Sequence, residues 1–91
     1  MSRASKNKIT VQNSMTMCTY LTNTRGLTIT EISKRTEYSR DFICKLRGKN
    51  PPEKVELAFF LGLIETCGIP YHLAMKDNLT VKDITNCVSK G

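Results

Sequence analysis

Residues 27–49 read LTITEISKRTEYSRDFICKLRGK, two short helical patterns separated by a tight break. Thr28 fits an N-cap, because its hydroxyl can accept a hydrogen bond from a backbone N–H one turn on, and Glu31 three residues later completes a capping box. The spacing predicts a helix from about Ile29 to Thr36, with Ile29 and Ile32 on one face and Lys34 and Arg35 on another. Ser39 offers a second N-cap. Phe42, Ile43 and Leu46 follow at helical spacing, while Arg40, Asp41, Cys44, Lys45 and Arg47 point elsewhere. Gly48 is expected to stop this second helix in the left-handed conformation. Helices this short do not hold alone, so the pair must dock through Ile32, Tyr38, Ile43 and Leu46 on a larger core. The second helix is then displayed.

The flanks supply that core. Residues 1–13 are polar and basic, carry Arg3, Lys6 and Lys8, and show no helical period. A flexible arm is expected there, of the kind that follows a phosphate backbone or enters a groove. From Ser14, read as an N-cap, Met15, Cys18 and Leu21 recur at helical spacing and predict a first helix that ends before Arg25-Gly26. Beyond the bihelical unit, Asn50-Pro51-Pro52 predicts a rigid loop, with Pro52 in the first turn of a helix reaching Thr66 or Cys67 and closed by Gly68.

That later helix is apolar on two sides. Val55, Ala58, Phe59, Gly62 and Leu63 form one stripe; Leu57, Phe60, Leu61 and Ile64 form a second. A domain this small buries one stripe under the bihelical unit and the first helix, so the second needs another cover. One cover is the C-terminal segment, with Tyr71, Leu73 and Met75 on a short helix and Val81, Ile84 and Val88 on another, a capped helix that begins at Thr80-Val81-Lys82-Asp83. The other is a second subunit. Both are expected to contribute, so that Leu57, Phe60, Leu61, Ile64, Tyr71, Leu73, Val81, Ile84 and Val88 make up a two-fold interface.

Ninety-one residues suffice for one core of four to six helices and not for two domains. No apolar run reaches bilayer-spanning length, and the N-terminal residues lack the apolar stretch of a secretion signal, so a cytoplasmic protein without a membrane partner is expected. The net charge of +6 is uneven: residues 27–50 hold six basic against three acidic side chains, residues 1–13 add three more basic ones, and residues 51–68 are net acidic. Positive charge thus gathers in the arm and the bihelical unit, where a polyanion would be met. Cys18, Cys44, Cys67 and Cys87 form no Cys-x-x-Cys, and His72 stands apart from all four, so no metal site and no cofactor is expected; without a secretion signal, no disulfide framework is expected either. Cys18 and Cys67 read as small core residues; Cys44 falls on the outward face of the second helix.

In its order and spacing, from about Met15 to Met75, the chain resembles the lambda-repressor-like helix-turn-helix family, the phage repressor and Cro group. The resemblance runs through an apolar first helix, Gly26-Leu27-Thr28, the bihelical unit, Gly48-Lys49-Asn50-Pro51, a long apolar helix, and Cys67-Gly68-Ile69-Pro70 leading into a short fifth helix. Two departures stand out: Glu37 occupies the turn where the family usually has Gly, and the segment from Ile43 to Gly48 is one residue shorter than usual. The resemblance implies an all-α, compact five- to six-helix domain. Its parts would be a basic arm over 1–13, a DNA-binding domain over 14–75 with the bihelical unit at about 28–47, and a C-terminal helical segment over 76–91 for dimerisation. It implies a sequence-specific binder of double-stranded DNA, a repressor of phage, plasmid or other bacterial origin, acting as a homodimer on an inverted repeat. By correspondence with the family's recognition helix, Ser39, Arg40, Asp41, Cys44 and Lys45 would face the bases. Arg40 would favour guanine, and Asp41 would accept from cytosine or orient Arg40. Thr28, Thr30, Arg47, Lys49 and Asn50 would hold phosphates.

Other readings attach to particular residues. An acidic side chain beside the motif, Glu31 or Glu37, could touch RNA polymerase and make the protein an activator. The second apolar stripe and the C-terminal segment could bind an unlike protein, as in an antitoxin or anti-repressor. Catalysis finds no support, because His72 is isolated and no Ser-His-Asp, Cys-His or Gly-rich phosphate-loop pattern exists.

Overall fold

Short-range signals shape the middle of the molecule and the start of its last helix, and contacts distant in sequence shape its N-terminal end. The computed structural model describes residues 3–90, with side chains from Asn7 onward. Among the described residues every regular element is helical: α1 (Arg3–Thr19), continued by a π-helical turn over Tyr20–Thr24, α2 (Ile29–Thr36), α3 (Arg40–Arg47), α4 (Leu57–Cys67), α5 (Tyr71–Ala74) and α6 (Val81–Lys90). None of these helices is long and apolar enough to cross a membrane. The Cα radius of gyration, 12.2 Å, matches the roughly 12 Å of a single globule of this length.

α4 is the axis of the core. Phe59, Phe60, Leu63, Ile64 and Cys67 are buried along it, in one cluster with Met17 and Cys18 of α1, Leu21 of the π-helical turn, Ile32 of α2, Ile43 and Leu46 of α3, and Ile84 of α6. The buried arc runs between the two stripes read from the sequence, taking Phe59 and Leu63 from the first and Phe60 and Ile64 from the second. Phe60 is 1 % exposed, Ile64 8 % and Ile84 0 %, so these three, expected at a two-fold interface, instead belong to the protein's own core. The cause is intramolecular cover: α5 packs back on α4, where the Tyr71 ring meets Phe60 edge-on at 6.2 Å, and Ile69, Ala74, Leu79 and Ile84 are buried in the same cluster. Leu73 and Val81 are half-buried against the same core, whereas Leu57, Leu61, Tyr71 and Val88 remain exposed.

The expected arm over 1–13 is replaced from Arg3 onward by the first turns of α1; Met1 and Ser2, and the side chains of Arg3 and Lys6, lie outside the described residues. Tertiary contact explains the helix. Val11 is buried, and the buried side chain of Asn13 donates from Nδ2 to the backbone oxygens of Ala74 at 2.6 Å and Lys76 at 2.9 Å. It thereby serves carbonyls at the end of α5 that have no helical partner of their own. Ser14, expected as an N-cap, is an interior helical residue, fully buried, whose hydroxyl has no hydrogen-bond partner among the described residues.

Two other boundaries differ. α4 begins at Leu57 and not at Pro52, with Glu56 in extended conformation at its N-cap position and the Phe60 N–H donating to the Glu56 carbonyl. The segment before it stays non-helical because the chain must cross from the end of α3 to the start of α4, and extended backbone covers about twice the distance per residue that a helix does. Gly48 is extended (φ −85°, ψ −170°), not left-handed, since its N–H closes onto the Lys45 carbonyl in a tight i→i−3 bond that ends the helix without a left-handed residue. Gly68, by contrast, takes φ 76° and caps α4 as expected.

At the C-terminal end, Thr80 and Asp83 form a reciprocal cap: the Asp83 N–H donates to Thr80 Oγ1 and the Thr80 N–H to Asp83 Oδ2, each at 3.1 Å. Lys76 Nζ reaches the same carboxylate at 2.8 Å. The Lys76 hydrogen bond, followed by that of the Thr80 backbone, holds the Asp83 carboxyl below the usual carboxylate range.

Candidate nucleic-acid interface

α2 starts as its sequence dictates. Thr28 Oγ1 accepts from the Glu31 N–H at 3.1 Å, and the Thr28 N–H donates back to Glu31 Oε1 at 3.2 Å. The Thr28 hydroxyl also lies 3.2 Å from Glu31 Oε1, so Thr28, expected to hold phosphate with its side chain, already spends that side chain on the cap. Thr30 is exposed on the first turn beside it.

The turn between α2 and α3 is made by Glu37 in the left-handed region (φ 62°, ψ 27°), its N–H donating to the Ser33 carbonyl at 2.8 Å. The Ser33 hydroxyl donates across the turn to the Tyr38 carbonyl, which holds the chain in place for the next cap. Ser39 Oγ accepts from the Phe42 N–H at 3.1 Å and opens α3.

α3 is pinned from beneath. Ile43 and Leu46 are completely buried, and Tyr38, Phe42 and Phe59 form an aromatic triangle with ring centroids 5.0–5.4 Å apart. Desolvation pushes the Tyr38 phenol above its usual pKa, and the Glu56 carboxylate beside it pushes in the same direction. On the far side, Gly62 lets α2 approach α4 closely: a Cβ there would meet the Thr36 Cα at 3.4 Å.

What remains of α3 faces solvent. Arg40, Asp41, Cys44, Lys45 and Arg47 are all exposed, as are Lys49 and Asn50 beyond its end. Ser39, Arg40, Asp41 and Cys44 line one shallow concavity of about 530 Å³, with Ser33 as a fifth wall. Ser33 was not singled out in the sequence; its one signal is a hydroxyl placed a turn before Glu37, within reach of the bend. Lys45, Arg47, Lys49 and Asn50 lie outside this concavity, and Thr28 and Thr30 sit at the opposite end of α2.

No family model, curated protein or solved structure matches the chain. Its reading therefore rests on its own residues and geometry.

The four thiols divide by environment. Burial pushes Cys18 up to about 11, with Arg47 pulling slightly the other way, and pushes Cys67 up to about 12, with Cys18 adding to the rise and Arg25 opposing it. Both stay protonated core residues at neutral pH. Cys44 alone among the four is exposed, and it is on α3; Cys87 is half-buried. Among the described residues no three His, Cys, Asp or Glu side chains come together in a way that could hold a metal ion.

Proposed function

We propose that the protein is a sequence-specific double-stranded DNA-binding regulator that inserts α3 into the major groove, and that α2 and α3 form a helix-turn-helix of the lambda-repressor-like kind. One observation carries this reading. α3 is an eight-residue helix, capped by Ser39, whose inner face is fully buried through Ile43 and Leu46 while Arg40, Asp41, Cys44 and Lys45 stand free on the other face. Such a helix has little structural use for its outer residues, and their donors and cations suit base edges and phosphates. In this reading Arg40 pairs with guanine, Ser39, Asp41, Cys44 and Lys45 meet neighbouring bases, and Thr30, Arg47, Lys49 and Asn50 hold the backbone.

One α3 spans too few base pairs to choose a site in a genome, so two copies act together, with their α3 helices about 34 Å apart on an inverted repeat. Leu57, Leu61, Tyr71 and Val88, left uncovered by the fold, supply the apolar surface for pairing. Occupancy of an operator that excludes RNA polymerase is the simplest action of such a surface, which makes the protein a cytoplasmic, non-enzymatic repressor.

Selection from a random duplex pool tests this. An enriched inverted repeat is expected, with a complex mass of two chains. Arg40→Ala should cost about 1–3 kcal/mol on the selected site and little on random duplex. Lys49→Ala should weaken all sequences alike and flatten the salt dependence. Failure of any duplex to bind would reject the reading.

The same exposed Leu57, Leu61 and Tyr71 also favour a second reading, an interaction module that pairs with an unlike protein. A stable homodimer in light scattering that binds duplex would set it aside.

A further inference from the structure

α3 sets one negative charge into a surface otherwise suited to a polyanion. Asp41 is exposed and lines the concavity with Ser33, Ser39, Arg40 and Cys44. Lys45 lies one turn away on the same helix and Arg40 is its neighbour, yet Asp41 pairs with neither: the ion pair among the described residues is Lys76–Asp83. Asp41 therefore makes no ion pair that would orient Arg40, and its charge is unpaired among the described residues. Nor is it needed as a cap, because Ser39 already accepts the hydrogen bond that opens α3.

Base chemistry gives such a carboxylate one good partner. In the major groove guanine presents N7 and O6 acceptors, thymine an O4 acceptor, and adenine an N6 donor beside an N7 acceptor. Cytosine alone offers a donor, its N4 amino group, with no acceptor next to it. Against phosphates and acceptor edges the same carboxylate is repelled, and adenine's donor brings its own N7 acceptor with it.

We infer that Asp41 is the specificity-determining residue of this surface, accepting from a cytosine N4 amino group at the bound site and repelling duplex in every other register. The inference rests on the duplex-binding reading above. It assigns Asp41 a double effect: weaker binding to random DNA and tighter discrimination at the target.

The test compares the wild-type protein with Asp41→Asn and Asp41→Glu, in random-pool selection and in titration with bulk random-sequence duplex at low salt. Asp41→Asn should bind random duplex about fivefold more tightly, the factor that one charge–charge contact at about 4 Å in water is worth. It should also lose the enriched cytosine in favour of adenine, whose N6 and N7 an amide can engage together. Asp41→Glu should keep the low affinity for random duplex. If the wild-type protein selects a site and Asp41→Asn selects the same site with the same ratio of specific to random affinity, the inference fails while the duplex-binding reading stands. If the wild-type protein binds no duplex, both fall.

Discussion

The bihelical unit and α1 are built in opposite ways. In the unit, each helix begins at a residue whose side chain answers a backbone group three residues on, Thr28 to Glu31 and Ser39 to Phe42. In α1, Asn13 answers carbonyls 61 and 63 residues away, at Ala74 and Lys76. The first arrangement forms wherever those few residues meet. The second exists only once the rest of the chain has folded around it. Polar residues thus carry structural weight in both regions, but only in the first can that role be seen from near neighbours.

The largest test of this contrast removes the support beneath the unit. Phe59→Ala should cost about 3–5 kcal/mol in urea unfolding, because it opens the aromatic triangle under α3 and leaves a cavity in the core. A cost below that of a lost cap would mean that the unit stands by local signals alone. Asn13→Ala comes next, at about 2–3 kcal/mol, since it strands two backbone carbonyls, one of them in a buried bond. A neutral result would return the segment to the status of an arm. Thr28→Ala and Ser39→Ala should each cost about 1 kcal/mol, the usual worth of an N-cap, with the two losses adding in the double variant.

Smaller effects sharpen the same comparison. Glu37→Gly should raise the melting temperature slightly, by about 0.5 kcal/mol of stability, because glycine adopts the left-handed turn without a Cβ penalty while losing more backbone entropy on folding. Acidification weakens the start of α6. Asp83 has a folded-state pKa below its unfolded value, so what it contributes is complete above about pH 4 and is lost as pH falls through its lowered value. Amide exchange should then show α6 loosening in acid while α3, whose start is capped by the uncharged Ser39, holds longer.

The contrast also explains what could be read in advance. The bounds of α2 and α3, the caps at Thr28, Ser39 and Thr80, the left-handed Gly68 and the outward set Arg40, Asp41, Cys44 and Lys45 were all legible, because each follows from a pattern within one or two turns. The early start of α1 was not. Its buried line of Val11, Ser14, Cys18 and Leu21 includes a serine and adjoins the buried Asn13, so the apolar period is broken where polar groups are buried against distant partners. The two stripes of α4 posed another problem. Phe60 and Leu61 are adjacent and both apolar, and only the path of the chain through Ile69, Ala74 and Ile84 decides that the first is buried while the second is 43 % exposed. Ser33 escaped notice because a serine amid an amphipathic helix carries no pattern until its hydroxyl is seen on the Tyr38 carbonyl.

A last consequence concerns the side chains along the outer face of α3. Arg40, Asp41, Cys44 and Lys45 supply none of the hydrogen bonds that start the helix and none of the groups that fill the core beneath it. They can be exchanged as a set while Ser39, Ile43, Leu46 and the aromatic triangle keep the rod aimed, so the scaffold can be re-addressed to a new target by rewriting four letters and leaving its foundations alone.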